Sequence, residues 1–154
     1  MNFPQDFKEF IELLNAQKVK YLIIGGYAVG FHSRPKFTND IDIWIENSLT
    51  NAKKVLRVLE DFGFSSLDIQ IEDLTDPDKV IQLGYAPVRI DIITGLCGVD
   101  FTNAYDEKIT GNYLGVKTYF ISKKHLIKSK VKAGRKKDIY DIEWINKYSK
   151  RNDT

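Results

Sequence analysis

Hydrophobic and polar positions divide the start of the chain into a helix, a strand and a second short helix. Apolar residues recur every three to four positions over residues 4–17, which predicts an amphipathic helix. The apolar run Tyr21–Ile24 then stops at Gly25 and Gly26, which predicts a buried strand followed by a tight turn. Residues 27–31 leave room for one or two helical turns.

A strict alternation of polar and apolar residues predicts a strand over residues 40–45. Asp40 and Asp42 fall on one face of this strand and isoleucines on the other. We place Trp44 in the core with the isoleucines. Two carboxylates about 7 Å apart on one face repel each other. Taken alone, such a pair is typical of a strand that faces water.

The remainder of the chain predicts a mixture of helices and hairpins, and therefore an α+β fold. Residues 65–78 fit a helix or a strand equally well. The other predicted elements are a helix capped by Ser48 or Thr50 and closed by Gly63, strands at 79–83 and 88–93 joined by a turn at 84–87, a short helix at 100–106, a hairpin at 109–116 with its turn signals at Gly111, Asn112 and Gly115, a small strand at 119–121, a basic helix from Ser122 to Gly134, and a last helix at about 137–148.

Length and composition favour one globular domain over residues 1–154, with a core at about 20–121 and C-terminal helices at about 122–149. Hydrophobic residues make up 43% of the 154 residues, which excludes a disordered chain. The net charge of +2 is too small for a protein that mainly coats nucleic acid. No apolar run is long enough to cross a membrane, and the first residues lack the pattern of a signal peptide. We therefore expect a cytoplasmic protein with no membrane partner.

Soft metal ligands are scarce in this sequence. One cysteine, Cys97, and two histidines, His32 and His125, are too few for a structural zinc site, and no internal disulfide is available. We expect both histidines at the surface and Cys97 as a small apolar filler.

A third carboxylate changes the interpretation of the acidic strand. Asp91 interrupts the apolar segment 90–93, where a lone carboxylate needs a partner or a cation. If that strand lies beside Asp40 and Asp42, the three acids form an oxygen-rich site suited to Mg²⁺. Such a cluster can hold two ions that bridge the attacking and leaving oxygens of a phosphoryl displacement.

The order of these motifs resembles the nucleotidyltransferase superfamily of the DNA polymerase β type. A strand ending in two glycines is followed by a D-x-D strand and then by a third acid, at the spacing of that superfamily. The chain looks most like its small bacterial members, which are grouped with abortive-infection toxins and antibiotic nucleotidyltransferases. Further resemblance lies in Lys36-Phe37-Thr38-Asn39-Asp40, which has Lys where Arg is usual, and in the late element from Lys130 to Asp141, K-x-x-A-G-R-x-K-D-x-x-D.

The resemblance implies a polymerase β-like fold, a mixed β-sheet flanked by helices, and a role for each matching residue. Gly25 and Gly26 would hold the phosphates of an NTP, with Thr38 either binding a phosphate or only starting its strand. Asp40, Asp42 and Asp91 would be the catalytic and metal-binding acids, holding two Mg²⁺ ions. The products would be a nucleoside-monophosphate adduct and pyrophosphate.

The same resemblance gives the late cations two alternative roles. Lys130 and Arg135 would supply charge to the triphosphate or hold the C-terminal helices against the site. Asp138 is expected to cap the last helix, and Asp141 to pair with Arg135 or Lys137.

Three aromatic residues also have two possible roles each. The rings of Tyr27 and Phe37 either stack on a base or belong to the core. Trp144 either packs in the core or contacts a partner.

The sequence leaves the acceptor and the partners open. A hydroxyl on a small molecule, a protein or a tRNA fits the reaction, and a homodimer or a partner chain would complete the cleft of so short a protein. Residues 122–137 carry eight Lys or Arg and no acid, which suits an RNA backbone, the triphosphate, or simply a solvated face. The alternative to an enzyme is a non-catalytic nucleotide-binding or antitoxin-like member of the fold.

Overall fold

The computed structural model describes residues 3–35, 38–64, 68–85 and 88–149. Over these ranges the chain forms, in order, α1 (Phe3–Ala16), β1 (Tyr21–Ile24), α2 (Gly25–His32), β2 (Asp40–Ile45), α3 (Leu49–Asp61), α4 (Ile71–Thr75), β3 (Val80–Tyr85), β4 (Val88–Ile93), α5 (Phe101–Asp106), β5 (Ile109–Tyr113), β6 (Val116–Phe120), α6 (Lys123–Ala133) and α7 (Lys136–Tyr148). The predicted α+β class is confirmed.

The strands form a mixed six-stranded sheet in the order β3-β4-β2-β1-β6-β5. β2 lies at its centre, antiparallel to β1 and parallel to β4. β3 pairs antiparallel with β4 at one end of the sheet, and β5 with β6 at the other. The two strands with acids are therefore direct neighbours, as the sequence analysis required for a shared site.

Helices cover both faces of the sheet. On one face, the isoleucines of β2 pack against α1 and α3 in a core that includes Phe7, Phe10 and Val55. On the other face, Leu22 and Trp44 pack with residues of α2, α5, α6 and α7. Because side chains alternate along a strand, the second face is also the one that carries the acids. Among the described helices, none is long and apolar enough to cross a membrane.

Helix ends follow the predicted capping residues. Ser48 caps α3 by accepting a hydrogen bond from Asn51 N, and Ser122 caps α6 by accepting one from His125 N. Gly134 ends α6 with a φ of 65°, a conformation that favours glycine. In the ambiguous segment 65–78, the structure has the short helix α4, and residues 65–67 lie outside the described ranges.

Several local predictions are wrong. Trp44 is buried, but on the face of Asp42, because residues two apart on a strand share a face. The tight turn at Gly25 and Gly26 is the first turn of α2 instead. Gly84 lies inside β3, while positions 86 and 87 of that predicted turn are outside the described residues.

The second hairpin turns at Leu114 and Gly115, so Gly111 and Asn112 lie within β5. Gly111 is needed there because the Phe31 ring, stacked on Phe120 at 4.0 Å, occupies the space of a side chain.

The two histidines and the cysteine also differ from expectation. His32 and His125 are 1% and 6% exposed. The ring nitrogen Nε2 of His32 lies 2.6 Å from the carbonyl oxygen of Ile121, and Nδ1 of His125 lies 2.9 Å from Ser122 Oγ. These hydrogen bonds satisfy polar atoms inside the fold and so permit burial. Cys97 is exposed and fills no core space.

Candidate active site

Asp42 and Asp91 lie side by side in the centre of the sheet. In the parallel pairing of β2 with β4, Asp42 is opposite Asp91 and Asp40 is opposite Arg89. On the other side of β4, Asp91 is opposite the exposed residue Gln82 of β3, so Asp42, Asp91 and Gln82 form a row across three strands. The structure thus brings the three predicted acids together on one face, at the place where β2 begins.

Arg89 joins two of the three acids. Its Nε donates to Asp91 Oδ1 and its Nη2 to Asp40 Oδ2, both at 2.9 Å. The hydrogen bond and the charge of Asp91 raise the pKa of Arg89, so the side chain stays cationic. Arg89 is a site residue not predicted above, although its position two before Asp91 on a strand places it on the same face.

Asp42 is the acid with the least compensation. Its carboxyl is largely buried, and burial, followed by the charge of Asp91, raises its pKa from 3.8 to about 6. The charge of Lys137 acts in the opposite direction. A hydrogen bond between Asp42 and Asp91 adds to the raised pKa of Asp42. A cation placed between them would remove this repulsion.

Gly25 brings the backbone directly against Asp42. It follows Ile24, which is opposite Asp42 in the antiparallel pairing of β1 with β2. Its φ of +68° favours glycine, and an added Cβ would overlap Asp42 Oδ2. Gly26 next to it lies beside Thr38, so that a Cβ there would come within 3.1 Å of Thr38 Oγ1. The predicted glycines and the predicted acids therefore lie side by side at one place on the sheet.

Thr38 and the loop around it are tied to neighbouring elements. The hydroxyl of Thr38 donates to the backbone oxygen of Asp40 at 3.2 Å. The loop before Thr38 is attached to α7, because Trp144 Nε1 donates to Arg34 O at 2.8 Å and the Arg34 guanidinium lies 4.2 Å from the Tyr148 ring. Trp144 thus contacts the protein's own loop.

Of the two aromatic residues that could stack on a base, Tyr27 packs against the core, and Phe37 is not among the described residues. Tyr27 packs against the rings of Phe7 and Tyr113, at centroid distances of 5.8 and 5.9 Å. Burial raises the pKa of its phenol, with smaller contributions from Tyr113 and Asp40. Tyr27 therefore lies at the border of the core and the acids. Lys36 and Phe37 lie outside the described residues.

Lys130 lies in a buried group of charges between α6 and α7. Lys130, Asp138 and Asp141 are 7%, 1% and 2% exposed. Lys130 Nζ donates to Asp141 Oδ2 at 2.9 Å and lies 3.8 Å from Asp138 Oδ1. Asp141 thus pairs with Lys130, which reaches it from the neighbouring helix, and its charge also raises the pKa of Arg135, one of the two predicted partners.

Arg135 is bound to the start of α7. Its Nε donates to Asp138 Oδ2 at 2.7 Å, and its backbone N–H donates to the same oxygen at 3.1 Å. Asp138 thus caps α7 as predicted, and the hydrogen bond from Arg135 holds its pKa below the usual range. Unlike Lys130, the other Lys and Arg residues between positions 122 and 137 are mostly exposed. This exposure fits either a solvated face or a ligand-binding face.

The three acids provide the carboxylate oxygens that a divalent cation prefers, but they are not already arranged around a metal site. Among the described residues, no three Asp, Glu, His or Cys side chains converge in a way that would hold a metal ion. Arg89 takes up the space and the charge between Asp40 and Asp91. The donors present are carboxylate oxygens, which Mg²⁺ prefers, and the raised pKa of Asp42 marks negative charge that is not fully compensated.

A family model covers almost the whole chain. Residues 4–154 match the family described as nucleotidyl transferase of unknown function, DUF2204. The chain belongs to this nucleotidyl transferase family. The match confirms the resemblance given by the glycines and the acids, and makes the protein a nucleotidyltransferase at the level of the family.

Solved structures of nucleotidyltransferases share the fold. One is TM1012 from Thermotoga maritima, described as a candidate nucleotidyltransferase, with 16% identity, a TM-score of 0.61, and coverage of 93% of this chain and 92% of that one. Another is the lincosamide antibiotic adenylyltransferase LnuA with lincomycin bound, with 20% identity, a TM-score of 0.60, and coverage of 92% and 95%. These similarities confirm the polymerase β-like fold. Among proteins with curated descriptions, none matches significantly.

Proposed function

We propose that the protein transfers a nucleoside monophosphate from an NTP to a hydroxyl acceptor, with Mg²⁺ as cofactor and pyrophosphate as the second product. The observation that carries this proposal is the contact of the Gly25 backbone with Asp42, in the same row as Asp91. A phosphate-binding backbone and an acidic metal-binding row then share one cleft.

In this proposal Gly25 and Gly26 bind the nucleotide phosphates. Without side chains they let the backbone approach closely, and their N–H groups are at the start of α2, where the partial positive charge of the helix favours an anion. The Thr38 hydroxyl, beside Gly26, would donate to a phosphate oxygen in place of its hydrogen bond to the backbone oxygen of Asp40.

Asp40, Asp42 and Asp91 hold the Mg²⁺ ions. When bound, these ions would neutralise charge on the phosphates and lower the pKa of the acceptor hydroxyl. The fit rests on the oxygen donors and on the repulsion between Asp42 and Asp91 described above. Arg89 keeps Asp40 and Asp91 oriented through its two short hydrogen bonds.

Asp91 is assigned to the acceptor. It lies on the side of Asp42 away from Gly25, next to exposed Gln82 on the strand that ends the described sheet. The acceptor oxygen forms a bond to the α-phosphorus while the bond from this phosphorus to the oxygen bridging to the β-phosphate breaks. Asp91 orients the acceptor hydroxyl or takes its proton, and pyrophosphate leaves with the bonding electrons.

Of the two roles predicted for Lys130 and Arg135, we favour the support of α7. Their contacts with Asp138 and Asp141 engage both cations within the C-terminal helices. This support fixes the start of α7, the helix that packs against α2.

A labelling experiment tests the proposed reaction and identifies the class of acceptor. The protein is incubated with Mg²⁺ and each of the four α-³²P-labelled NTPs, with total cellular RNA, with lincomycin (bound by the structural neighbour LnuA), or without addition. We expect pyrophosphate release and label transfer to one acceptor class, and loss of both with Asp91→Asn. Labelling of RNA would support the RNA alternative, and labelling of the protein itself a protein acceptor. NTP binding without pyrophosphate release would favour the non-catalytic alternative.

A further inference from the structure

We propose that the outer edge of β3 pairs with the same edge of a second copy of the chain. The two strands run antiparallel across a two-fold axis, so that two six-stranded sheets join into one. This pairing concerns the assembly of the protein and goes beyond the proposed reaction. It depends on the backbone of β3, on the side chains along that strand, and on its place next to the acids.

The outer edge of β3 presents backbone groups that no described strand pairs with, because β3 is the last strand at its end of the described sheet. The backbone N–H of Thr94 donates to Lys79 O at 3.0 Å, just before the ladder between β3 and β4 begins. Hydrogen-bonded pairs alternate with non-bonded pairs along an antiparallel ladder. The N–H and C=O groups of Val80 and Gln82 therefore point outward, away from β4.

The residues along this edge suit an identical partner. Val80, Gln82 and Gly84 are exposed, and Val80 is an apolar residue with 55% exposure. Residues 80–85 carry no charge, so two copies of the edge do not repel each other. In an antiparallel pairing centred on Gln82, Val80 lies opposite the partner's Gly84, which has no side chain to obstruct it. A two-fold axis thus makes this edge complementary to itself, whereas an unrelated segment would need a matching sequence.

The pairing extends the row of residues that contains the acids. Asp42, Asp91 and Gln82 are neighbours across three strands, so the partner's Gln82 becomes the next residue of this row. By the spacing of strands in a sheet, its Cα lies about 10 Å from the Cα of Asp91. The second copy therefore forms a wall of the cleft, on the side that the proposed function assigns to the acceptor.

Sedimentation equilibrium of the full chain, without nucleotide or metal, measures the association. Gln82→Pro removes an outward N–H that β4 does not use, and proline is tolerated at such edge positions, whereas Gln82→Ala keeps the N–H. Thr110→Pro is the matched control, because it places the same ring at an exposed position of β5, the strand at the other end of the sheet. We expect a wild-type dimer at micromolar concentrations. Its dissociation constant should rise roughly tenfold or more with Gln82→Pro, which removes two hydrogen bonds across the axis, and change by less than about threefold in the other two variants.

Disulfide cross-linking tests the register of the pairing and does not depend on the folding of Gln82→Pro. The exposed Cys97 is first replaced by Ser. In this background Gln82→Cys places two thiols opposite each other on the axis, with Cα atoms about 5.5 Å apart, a distance that a disulfide spans. The thiols of Val80→Cys are four residues out of register, about 13 Å apart, and should not form a disulfide.

Mild oxidation followed by non-reducing electrophoresis should give a covalent dimer of Gln82→Cys and leave Val80→Cys monomeric. A wild type that stays monomeric at its highest soluble concentration would overturn the pairing. A dimer that a folded Gln82→Pro leaves intact, or equal cross-linking of the two cysteine variants, would do the same. These measurements contain no NTP, so the proposed function is tested separately by nucleotide binding and pyrophosphate release.

Discussion

Replacing Asp42 by Asn should stabilise the protein at neutral pH. The carboxyl of Asp42 is largely buried beside Asp91, and its pKa is raised from 3.8 to about 6 in the folded state. Since the folded state binds this proton more tightly than the unfolded state, ionised Asp42 opposes folding above pH 6. The penalty disappears as the pH falls through about 6 towards 4, because the folded carboxyl then takes up its proton.

The size of the effect follows from the shift of the pKa. A difference of about two units corresponds to about 3 kcal/mol of unfolding free energy at pH 7.5, and to about 1 kcal/mol at pH 4.5. Asn has nearly the same shape as Asp, cannot ionise, and can donate a hydrogen bond to Asp91. Asp42→Asn should therefore gain up to about 3 kcal/mol at pH 7.5 and lose most of this advantage at pH 4.5.

Urea unfolding followed by circular dichroism measures these differences, with EDTA present to remove divalent cations. Asp40→Asn is the matched control, because Asp40 is half-buried and paired with Arg89. That variant should change stability by no more than about 1 kcal/mol and should not be more stable than the wild type. The reasoning is refuted if Asp42→Asn is no more stable than the wild type at pH 7.5, or if its advantage persists unchanged at pH 4.5.

Three further predictions concern the cleft and its support. Gly25→Ala should lower the unfolding free energy more than Gly63→Ala, because both have positive φ but only the Cβ at Gly25 overlaps Asp42; equal losses in urea unfolding would contradict this. Lys130→Met should cost about 3 kcal/mol or more, since it removes the buried cation that pairs with Asp141 and lies 3.8 Å from Asp138, and a stable variant that loses NTP binding would instead assign Lys130 to the triphosphate. Mg²⁺ binding measured by calorimetry should weaken below about pH 6, because Asp42 is then protonated, whereas pH-independent binding between 5 and 7 would exclude Asp42 as a ligand.

The local elements of the site could be predicted from the sequence because each depends on a short pattern. The alternation of residues 40–45 fixes a strand with Asp40 and Asp42 on one face, and the run before Gly25 fixes the strand that precedes the glycines. The neighbouring position of Asp91 was an expectation that depended on strand order. The parallel pairing of β2 with β4 confirms it.

What could not be predicted depends on contacts between distant parts of the chain. Lys130 meets Asp141 only because α6 and α7 pack side by side. The burial of His32 depends on a carbonyl of Ile121, far along the chain. Arg89 and Trp44 are different cases, since the period of two along a strand by itself places Arg89 on the face of Asp91 and Trp44 on the face of Asp42.

The central claim is that the acids and the glycines form one Mg²⁺-dependent nucleotide site. The most direct test is the binding of the four NTPs by calorimetry, with and without Mg²⁺, to the wild type and to the Asp40→Ala/Asp42→Ala double variant. The account predicts micromolar binding of at least one NTP that requires Mg²⁺ and is lost in a folded double variant. Binding that is unaffected by Mg²⁺ or by the two substitutions would contradict it.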